Sequence, residues 1–200
     1  MAHVNLNYQA YADFNRDEII AKMSKHLKQS RLDHCLRVEQ TAIELAQEND
    51  GDVTVAGLAG LVHDYAKQRD VDEFTALIKQ DHLDPELLKY GRAIWHGYVG
   101  YLMIQRELGI NDNRILRAVK YHTIGAPVMD VYAQIVYMAD YIEPERDFSG
   151  VDEARAITHH NLWDGVVYQN AQTMKRLVNN QQAIYPAAIV AYNVIAAGQK

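Results

Sequence analysis

Apolar side chains recur at helical spacing along most of the chain, from about residue 16 onward. In one such stretch Leu32, Leu36, Ile43 and Ala46 mark a single face. No segment shows the sustained alternation of polar and apolar residues that indicates a half-buried strand. The four prolines, at positions 85, 127, 144 and 186, stand where helices would start or stop. The pattern therefore predicts an all-α fold.

Capping residues, glycines and prolines set the predicted helix boundaries. Helices are expected over residues 16–28, from an N-cap at Ser30 to a stop at 49–51, and over 53–62, 73–80, 85–89, 93–108, 113–121, 132–141, 151–178 with a break near 161, and 186–196. The length of 200 residues is that of one domain. Residues 1–15 lack a clear period, so we expect a poorly ordered N-terminal extension there and a single domain over 16–200.

Composition limits the classes of protein and partner. Hydrophobic residues make up 48% of the chain and charged residues 23%, which is typical of a globular protein and excludes intrinsic disorder. Cys35 is the only cysteine, so no intramolecular disulfide and no cysteine-based zinc site is expected. No apolar stretch is long enough to span a bilayer, and the net charge of −6 opposes binding to long nucleic acids. We expect a soluble, cytoplasmic protein without membrane or nucleic-acid partners.

Histidines and aspartates stand at predicted helix ends, next to apolar runs. Each alone is typical of a hydrogen-bonded core or capping residue. Together they offer six nitrogen and oxygen donors from five helices, which suits a buried site for iron, manganese, zinc or cobalt. Two of the residues, His63 and Asp64, are adjacent in sequence. They can converge on one centre only where their helix ends, because neighbouring residues do not share a helix face. The six residues are His34, His63, Asp64, His96, His122 and Asp140.

The local motifs around these residues resemble those of a known family. They are RxxHCxRV at 31–38, HDYAK at 63–67, IWHG at 94–97 with GYLM following, YHTIG at 121–125 and YMADYIEPERDFSGVDEAR at 137–155. The order of the six donors resembles the two-metal branch of the HD-domain phosphohydrolases. The motifs are similar to those of the bacterial YqeK family of symmetrical diadenosine tetraphosphate hydrolases. The resemblance covers residues 18–197, and the motif at 137–155 is highly specific.

The resemblance implies a helical HD-domain bundle with a buried dinuclear metal site. It implies two divalent or trivalent transition-metal ions per chain, iron foremost, with cobalt, manganese or zinc as alternatives. The activity expected is cleavage of diadenosine tetraphosphate, a dinucleoside polyphosphate, into two ADP by a metal-activated water. We assign the bridging position to Asp64, because a carboxylate has two oxygens and Asp64 is central in the order of donors. One metal then takes His34, His63 and Asp140, and the other takes His96 and His122.

Further residues are expected to act on the substrate. The catalytic residues are expected to be His63, Asp64 and Lys67. If they do not bind substrate, Lys67 and Arg146 are expected to be solvated surface charges and Thr123 is expected to cap its helix. Tyr185 would then make an apolar contact before the proline that starts the next helix. The expected nucleotide-binding residues are Arg31, Asp64, Tyr65, Lys67, His96, His122, Thr123, Arg146, Ile184, Tyr185 and Pro186. Glu143 and Glu145 are expected to be solvated at a helix end rather than to shuttle protons, and His3, His26, His82, His159 and His160 are expected at the surface.

Two other functions fit the same donors. One is a different HD-type activity, either a nucleotidase acting on mononucleotides or a guanosine polyphosphate hydrolase. The other is a non-catalytic module that senses a nucleotide or a metal. The sequence leaves open the metal's identity and oxidation state, the preference between adenosine and guanosine, and the oligomeric state, a homodimer included.

Overall fold

The computed structural model describes residues 6–198, and these form eleven α-helices, two short 3-10 helices and no strand. The fold is therefore all-α, as the sequence predicts. None of the helices in this part of the chain combines the length and hydropathy of a transmembrane span. The α-helices are α1 (Arg16–Met23), α2 (Gln29–Glu48), α3 (Val53–Val62), α4 (Val71–Gln80), α5 (Arg92–Tyr98), α6 (Tyr101–Leu108), α7 (Asn113–Tyr121), α8 (Val131–Ile142), α9 (Val151–His160), α10 (Leu162–Asn179) and α11 (Pro186–Ile195), and the 3-10 helices are Tyr8–Ala10 and Pro85–Lys89.

The predicted helix over residues 93–108 is two helices in the structure, α5 and α6. The Trp95 carbonyl accepts hydrogen bonds from the amides of both Val99, at 2.9 Å, and Gly100, at 2.8 Å, so the last turn of the helix widens and the helix ends there. A Cβ atom at Gly100 would lie 2.6 Å from the Cβ of Ala66. Glycine thus allows the chain to turn close against the segment that follows α3.

Helix α3 lies at the centre of the fold and positions the candidate site. It packs against α2, α7 and α8, and its residues from Val55 to Val62 are all buried. Full burial of a large aliphatic side chain such as Leu58 or Leu61 stabilises a fold by about 1.5–3 kcal/mol. Asp52 caps the start of α3 by accepting from the amides of Thr54 and Val55. The end of the helix therefore delivers the next two residues into the interior.

Residues 6–15 pack against the helical domain, which corrects the expectation of poor order for this part of the extension. Tyr8 is 1% exposed, and its hydroxyl donates a hydrogen bond to Glu39 Oε1 at 2.6 Å. The Asp13 amide donates to the Leu108 carbonyl at 2.9 Å. These partners are distant in sequence, so a search for local periodicity does not find them. Residues 1–5 lie outside the described part of the chain.

Candidate metal centre

Four histidines and two aspartates meet in the interior, each delivered by the end or the first turns of a helix. The histidines are between 0% and 4% exposed, and Asp64 is 1% exposed. His34 lies near the start of α2, His63 and Asp64 directly follow α3, His96 lies in α5, His122 directly follows α7, and Asp140 lies in the last turn of α8. The structure thus brings together all six residues that the sequence singled out.

Three of the four imidazoles are oriented by main-chain carbonyls. The Nδ1 atoms of His63, His96 and His122 lie 2.7, 2.8 and 2.7 Å from the carbonyl oxygens of residues 60, 92 and 119, respectively. A carbonyl can only accept, so each Nδ1 carries a proton, and in the neutral form of the ring the lone pair is on Nε2. The Nε2 atoms of all three rings face the aspartates.

Gly97 is required for the position of one of these rings. A Cβ atom at residue 97 would lie 2.9 Å from His122 Cε1 and 3.0 Å from the Val119 carbonyl oxygen. Both distances are shorter than an ordinary van der Waals contact. The close approach of α5 to His122 therefore depends on glycine at this position.

A carboxylate orients the fourth imidazole. His34 Nδ1 lies 3.1 Å from Glu143 Oε1, and Arg37 Nε donates to Glu143 Oε2 at 2.7 Å. Glu143 is 2% exposed, so the expectation that it is solvated at a helix end is wrong. Its partners lie more than 100 residues earlier in the chain, and no local pattern indicates the contact. An acidic partner on a metal-ligating histidine raises the basicity of the ligand.

The carboxylate of Asp64 lies between two groups of histidines. Its Oδ1 is 3.2 Å from His96 Nε2 and 3.7 Å from His122 Nε2. Its Oδ2 is 3.6 Å from His63 Nε2. The two oxygens of one carboxylate therefore face different imidazoles, which is the arrangement that a bridging ligand requires.

Asp140 completes the other end of the cluster. Its Oδ1 is 3.0 Å from His34 Nε2 and 3.8 Å from His63 Nε2. The Arg146 guanidinium contacts the same oxygen, and Arg146 Nε donates to the Asp140 carbonyl oxygen at 2.8 Å. Asp140 thus has one oxygen directed at two imidazoles and a cation beside it.

The donor atoms fit a transition-metal site. His34 Nε2, His63 Nε2 and Asp64 Oδ1 are buried and make no hydrogen bond of normal geometry to any described residue, although polar atoms of the other donors lie close to them. Buried polar atoms are otherwise almost always paired. Imidazole nitrogens with carboxylate oxygens are the donors that iron, manganese, cobalt and zinc accept. Three overlapping triads have donor atoms within 4.8 Å of one another: His34–His63–Asp64, His63–His122–Asp140 and Asp64–His96–His122.

Electrostatics hold the donors in the protonation states that a metal needs. Burial lowers the pKa of His63 to about 4 and that of His96 to about 3. Burial alone raises the pKa of Asp64 and Asp140, but neighbouring histidines and cations outweigh it and hold both pKa values well below the usual range. At neutral pH the carboxylates are ionised and these two imidazoles are neutral, which is the ligand form of each group.

Cations and one hydroxyl surround the cluster. Lys67 Nζ lies 3.0 Å from His96 Nε2 and 3.5 Å from Asp64 Oδ1. Arg31 Nη1 donates to Asp64 Oδ2 at 3.0 Å from the opposite side. Thr123 directly follows His122 in sequence. Its Oγ1 lies 3.1 Å from His96 Nε2, so the hydroxyl faces the site.

One cavity opens onto this cluster, and a second cavity adjoins the first. The larger, of about 690 Å³, is lined by six of the predicted residues, Lys67, His96, His122, Thr123, Asp140 and Arg146, together with residues of α10. The second, of about 420 Å³, has a mostly apolar wall that includes Ile94, Ile124, Met174 and Tyr185. Cavities of this size suit small organic ligands.

The predicted corner at residues 184–186 contributes unequally to the smaller cavity. Tyr185 is 4% exposed and packs edge-to-face against Tyr90 and Tyr98, with ring centroids 5.0 and 5.3 Å away. Ile184 presents its carbonyl to the Tyr90 hydroxyl at 3.3 Å. Pro186 is exposed in the first turn of α11. The tyrosine is therefore the member of this corner whose side chain lines the cavity.

Tyr65 is not brought to the site, which corrects its expected role as a nucleotide-binding side chain. It is 2% exposed, and its hydroxyl donates to Glu107 Oε2 at 2.6 Å within the core. The cause is local geometry, because consecutive residues in a helical turn point in different directions and Asp64 takes the direction of the site. The histidines expected at the surface are exposed at positions 26, 82, 159 and 160, and His3 lies outside the described residues.

The fold and the histidine–aspartate cluster define an HD-domain protein. Residues 31–145 match the HD domain family, a span that begins just before His34 and ends just after Asp140.

Proteins similar to this chain in sequence and structure indicate which group within the HD-domain family it belongs to. A Bacillus subtilis (strain 168) protein named symmetrical bis(5'-nucleosyl)-tetraphosphatase is 37% identical over 184 residues, which are 92% of this chain and 99% of that protein. A protein of the same name from Halalkalibacterium halodurans is 35% identical over 93% of this chain and 100% of its own length. A crystal structure from Clostridium acetobutylicum, described as that of a predicted HD superfamily hydrolase involved in NAD metabolism, has a TM-score of 0.87 and 31% identity over 94% of this chain and 99% of that one. This chain belongs to the HD-domain family of symmetrical bis(5'-nucleosyl)-tetraphosphatases.

Proposed function

We propose that this protein hydrolyses diadenosine tetraphosphate at its centre and releases two ADP. The observation that carries the proposal is the convergence of four imidazoles on Asp64 and Asp140, next to a cavity that His96, His122 and Asp140 help to line. The substrate class comes from the relatives, whose names state symmetrical cleavage of bis(5'-nucleosyl) tetraphosphates.

The proposed metal ligands are the six residues of the cluster. Asp64 is the proposed bridge, because its two oxygens face different imidazoles. His34, His63 and Asp140 would hold one ion, and His96 and His122 the other. Two bound transition-metal ions supply an activated water at neutral pH and neutralise charge on the phosphate oxygens. Iron remains the predicted metal.

The chain's own cations are proposed to bind the phosphates. Lys67 and Arg146 line the larger cavity, and Arg31 lies on the far side of Asp64. A tetraphosphate carries several negative charges, and arginine binds phosphate oxygens in a bidentate manner that orients them. Thr123 is proposed to donate a hydrogen bond from its hydroxyl to a phosphate oxygen. These contacts would place a central phosphorus over the metal pair.

The apolar cavity beside the cluster is the proposed site of one adenosine. Its wall includes Tyr90 and Tyr185, and aromatic side chains are suited to pack against a nucleobase. Fixing one nucleoside at a set distance from the metals decides which anhydride bond is cut.

A cytoplasmic location stays a prediction from composition.

Product analysis tests the proposal. The metal-loaded protein is incubated with diadenosine tetraphosphate in oxygen-18 water, and the products are separated by chromatography and weighed by mass spectrometry. We expect ADP alone, with one labelled molecule for each unlabelled one. The Asp64→Asn variant, purified and loaded in the same way, serves as the control for contaminating hydrolases.

Each other product pattern identifies a different function. ATP with AMP would contradict symmetrical cleavage. Orthophosphate released from AMP would favour a nucleotidase, and faster turnover of guanosine tetraphosphate would favour a guanosine polyphosphate hydrolase. Tight ADP binding without turnover of any of these substrates would favour a sensing module.

A further inference from the structure

The larger cavity extends well beyond the metal donors along α10. Beyond the cluster its wall consists of Tyr141, Phe148 and polar side chains of α10. The two cavities share Ala93, Thr123, Thr173 and Arg176, so they adjoin one another. A dinucleoside polyphosphate has a nucleoside at each end, and the apolar cavity accounts for one of them. This inference therefore rests on the proposed function.

An aromatic pair stands at the outer part of this wall. Tyr141 is in the last turn of α8, and Phe148 is in the loop that leads to α9. Their ring centroids are 4.8 Å apart, and the planes are tilted by 52°. Phe148 is 36% exposed, so it presents a large apolar surface to solvent near the site. Nucleobases stack on aromatic side chains placed in this way, whichever base is present.

A buried polar side chain also faces the cavity without a partner. Gln169 lines the cavity and is 6% exposed, and its Oε1 makes no hydrogen bond to any described residue. An unpaired buried amide oxygen raises the free energy of the folded state. A ligand that donates an N–H or O–H group would remove that penalty, and both the amino group of adenine and the hydroxyls of ribose do so.

The charge of the cavity suits a nucleotide. Gln172, Thr173 and Arg176 follow Gln169 at spacings of three, four and seven residues, so they lie on the same face of α10. Arg176 on this face and Arg146 on the facing loop line the same cavity as the aromatic pair. Arg146 contacts the metal donor Asp140, and Arg176 lines both cavities, so two cations are available to bind phosphates of a nucleotide whose base lies at the rings.

We propose that the outer part of the larger cavity is the subsite for the second nucleotide half of the substrate, the half that leaves as ADP. Its base stacks against Phe148 and Tyr141, and Gln169 accepts a hydrogen bond from the nucleoside. Arg176 binds its phosphates. The subsite explains how a symmetrical substrate is held at both ends while its centre lies over the metal donors.

Binding of the product tests this subsite directly. ADP is titrated into the metal-loaded protein by equilibrium dialysis, and the number of sites per chain is measured. We expect two ADP per chain, and Phe148→Ala weakens one of the two sites about tenfold through the loss of stacking. Val190→Ala is the control, because Val190 is an exposed apolar residue on α11 and its loss leaves both sites unchanged. A single ADP per chain, or equal binding by Phe148→Ala and the control, would overturn the proposal.

A kinetic comparison adds a second measurement. Adenosine 5'-tetraphosphate has the same phosphate chain with only one nucleoside. We expect kcat/KM for the dinucleotide, divided by that for the mononucleotide, to fall about tenfold in Phe148→Ala. An equal loss on both substrates would mean that Phe148 acts on the metal site and would reject the subsite. Two ADP bound by a protein that does not hydrolyse the dinucleotide would support the subsite and refute the proposed function.

Discussion

Two buried clusters of charged side chains in the described part of the chain differ in how completely their polar atoms are paired. One lies where the N-terminal segment meets α2. Glu39, which is 3% exposed, accepts from Tyr8 at 2.6 Å and from Arg16 at 2.8 and 2.6 Å, so both of its oxygens are paired. The other is the metal-donor cluster, where His34 Nε2, His63 Nε2 and Asp64 Oδ1 make no hydrogen bond of normal geometry to any described residue.

The difference separates a structural role from a ligand-binding role. A buried charge with all of its hydrogen bonds made holds two parts of a chain together, and removing a partner lowers stability. Unpaired buried atoms stabilise nothing by themselves, so a fold retains them where a ligand pairs them. Changes in the paired cluster should therefore alter stability and leave catalysis intact, and changes in the unpaired cluster should do the reverse.

The largest expected effect is that of Asp64→Asn. The amide keeps the volume of the side chain but is a poor bridging ligand, so metal binding and water activation should both fail. We expect turnover of diadenosine tetraphosphate to fall more than about a thousandfold. The melting temperature of the metal-free variant should stay close to that of the metal-free wild type. A tenth of the wild-type activity in this variant would refute the bridging role.

Glu143→Gln tests the one histidine that a side chain orients. Loss of the negative charge beside His34 Nδ1 should reduce metal affinity and kcat/KM by about 10- to 100-fold. Metal affinity can be measured by competition with a chromogenic chelator. The matched control is Glu145→Gln, whose side chain is 70% exposed and contacts Arg37 at 3.1 Å. Equal losses in the two variants would show that orientation of His34 is unimportant.

Tyr8→Phe tests the paired cluster. It removes one hydrogen bond to a buried carboxylate, so the free energy of unfolding should fall by about 2 kcal/mol. For a chain of this size the melting temperature should fall by about 4–8 °C, with kcat/KM unchanged. Tyr11→Phe is the control, since Tyr11 pairs with Asp52 in a more exposed position and should matter less. A loss of activity without a loss of stability would contradict the distinction between the clusters.

The smallest effect expected is that of Gly97→Ala. The added methyl group would lie 2.9 Å from the His122 ring, which must shift by a few tenths of an ångström. A displacement of that size should lower kcat/KM roughly fivefold. At Gly51 a methyl group meets its nearest neighbours at 3.5 Å, so Gly51→Ala provides the control. Unchanged activity in Gly97→Ala would mean that the position of His122 is not critical.

Elements that depend on local pattern can be predicted from the sequence. The apolar run at 53–62 and the caps around 113–121 give α3 and α7 with the observed bounds, because short-range periodicity determines them. The six donors can be recognised in the sequence because each stands beside an apolar run at a helix end. The break at Gly100 cannot be predicted from local pattern, since it depends on a close approach to Ala66.

Features that depend on long-range packing could not be found in this way. From its sequence neighbours alone Glu143 is expected to be solvated, because its partner Arg37 is 106 residues away in the chain. Tyr8 resembled part of a loose extension because Glu39, its partner, lies 31 residues along the chain. Tyr65 stands next to Asp64 in sequence, and only the structure shows that its side chain points into the core.

The metal content of the purified protein tests the central claim most directly, because the unpaired donors are proposed to exist for metal binding. The protein is purified without added metal, its metals are quantified by mass spectrometry, and its activity is measured before and after treatment with a chelator. The account predicts close to two transition-metal ions per chain and activity that is lost on chelation and restored by the metal. Metal-free protein with chelator-resistant activity would contradict it.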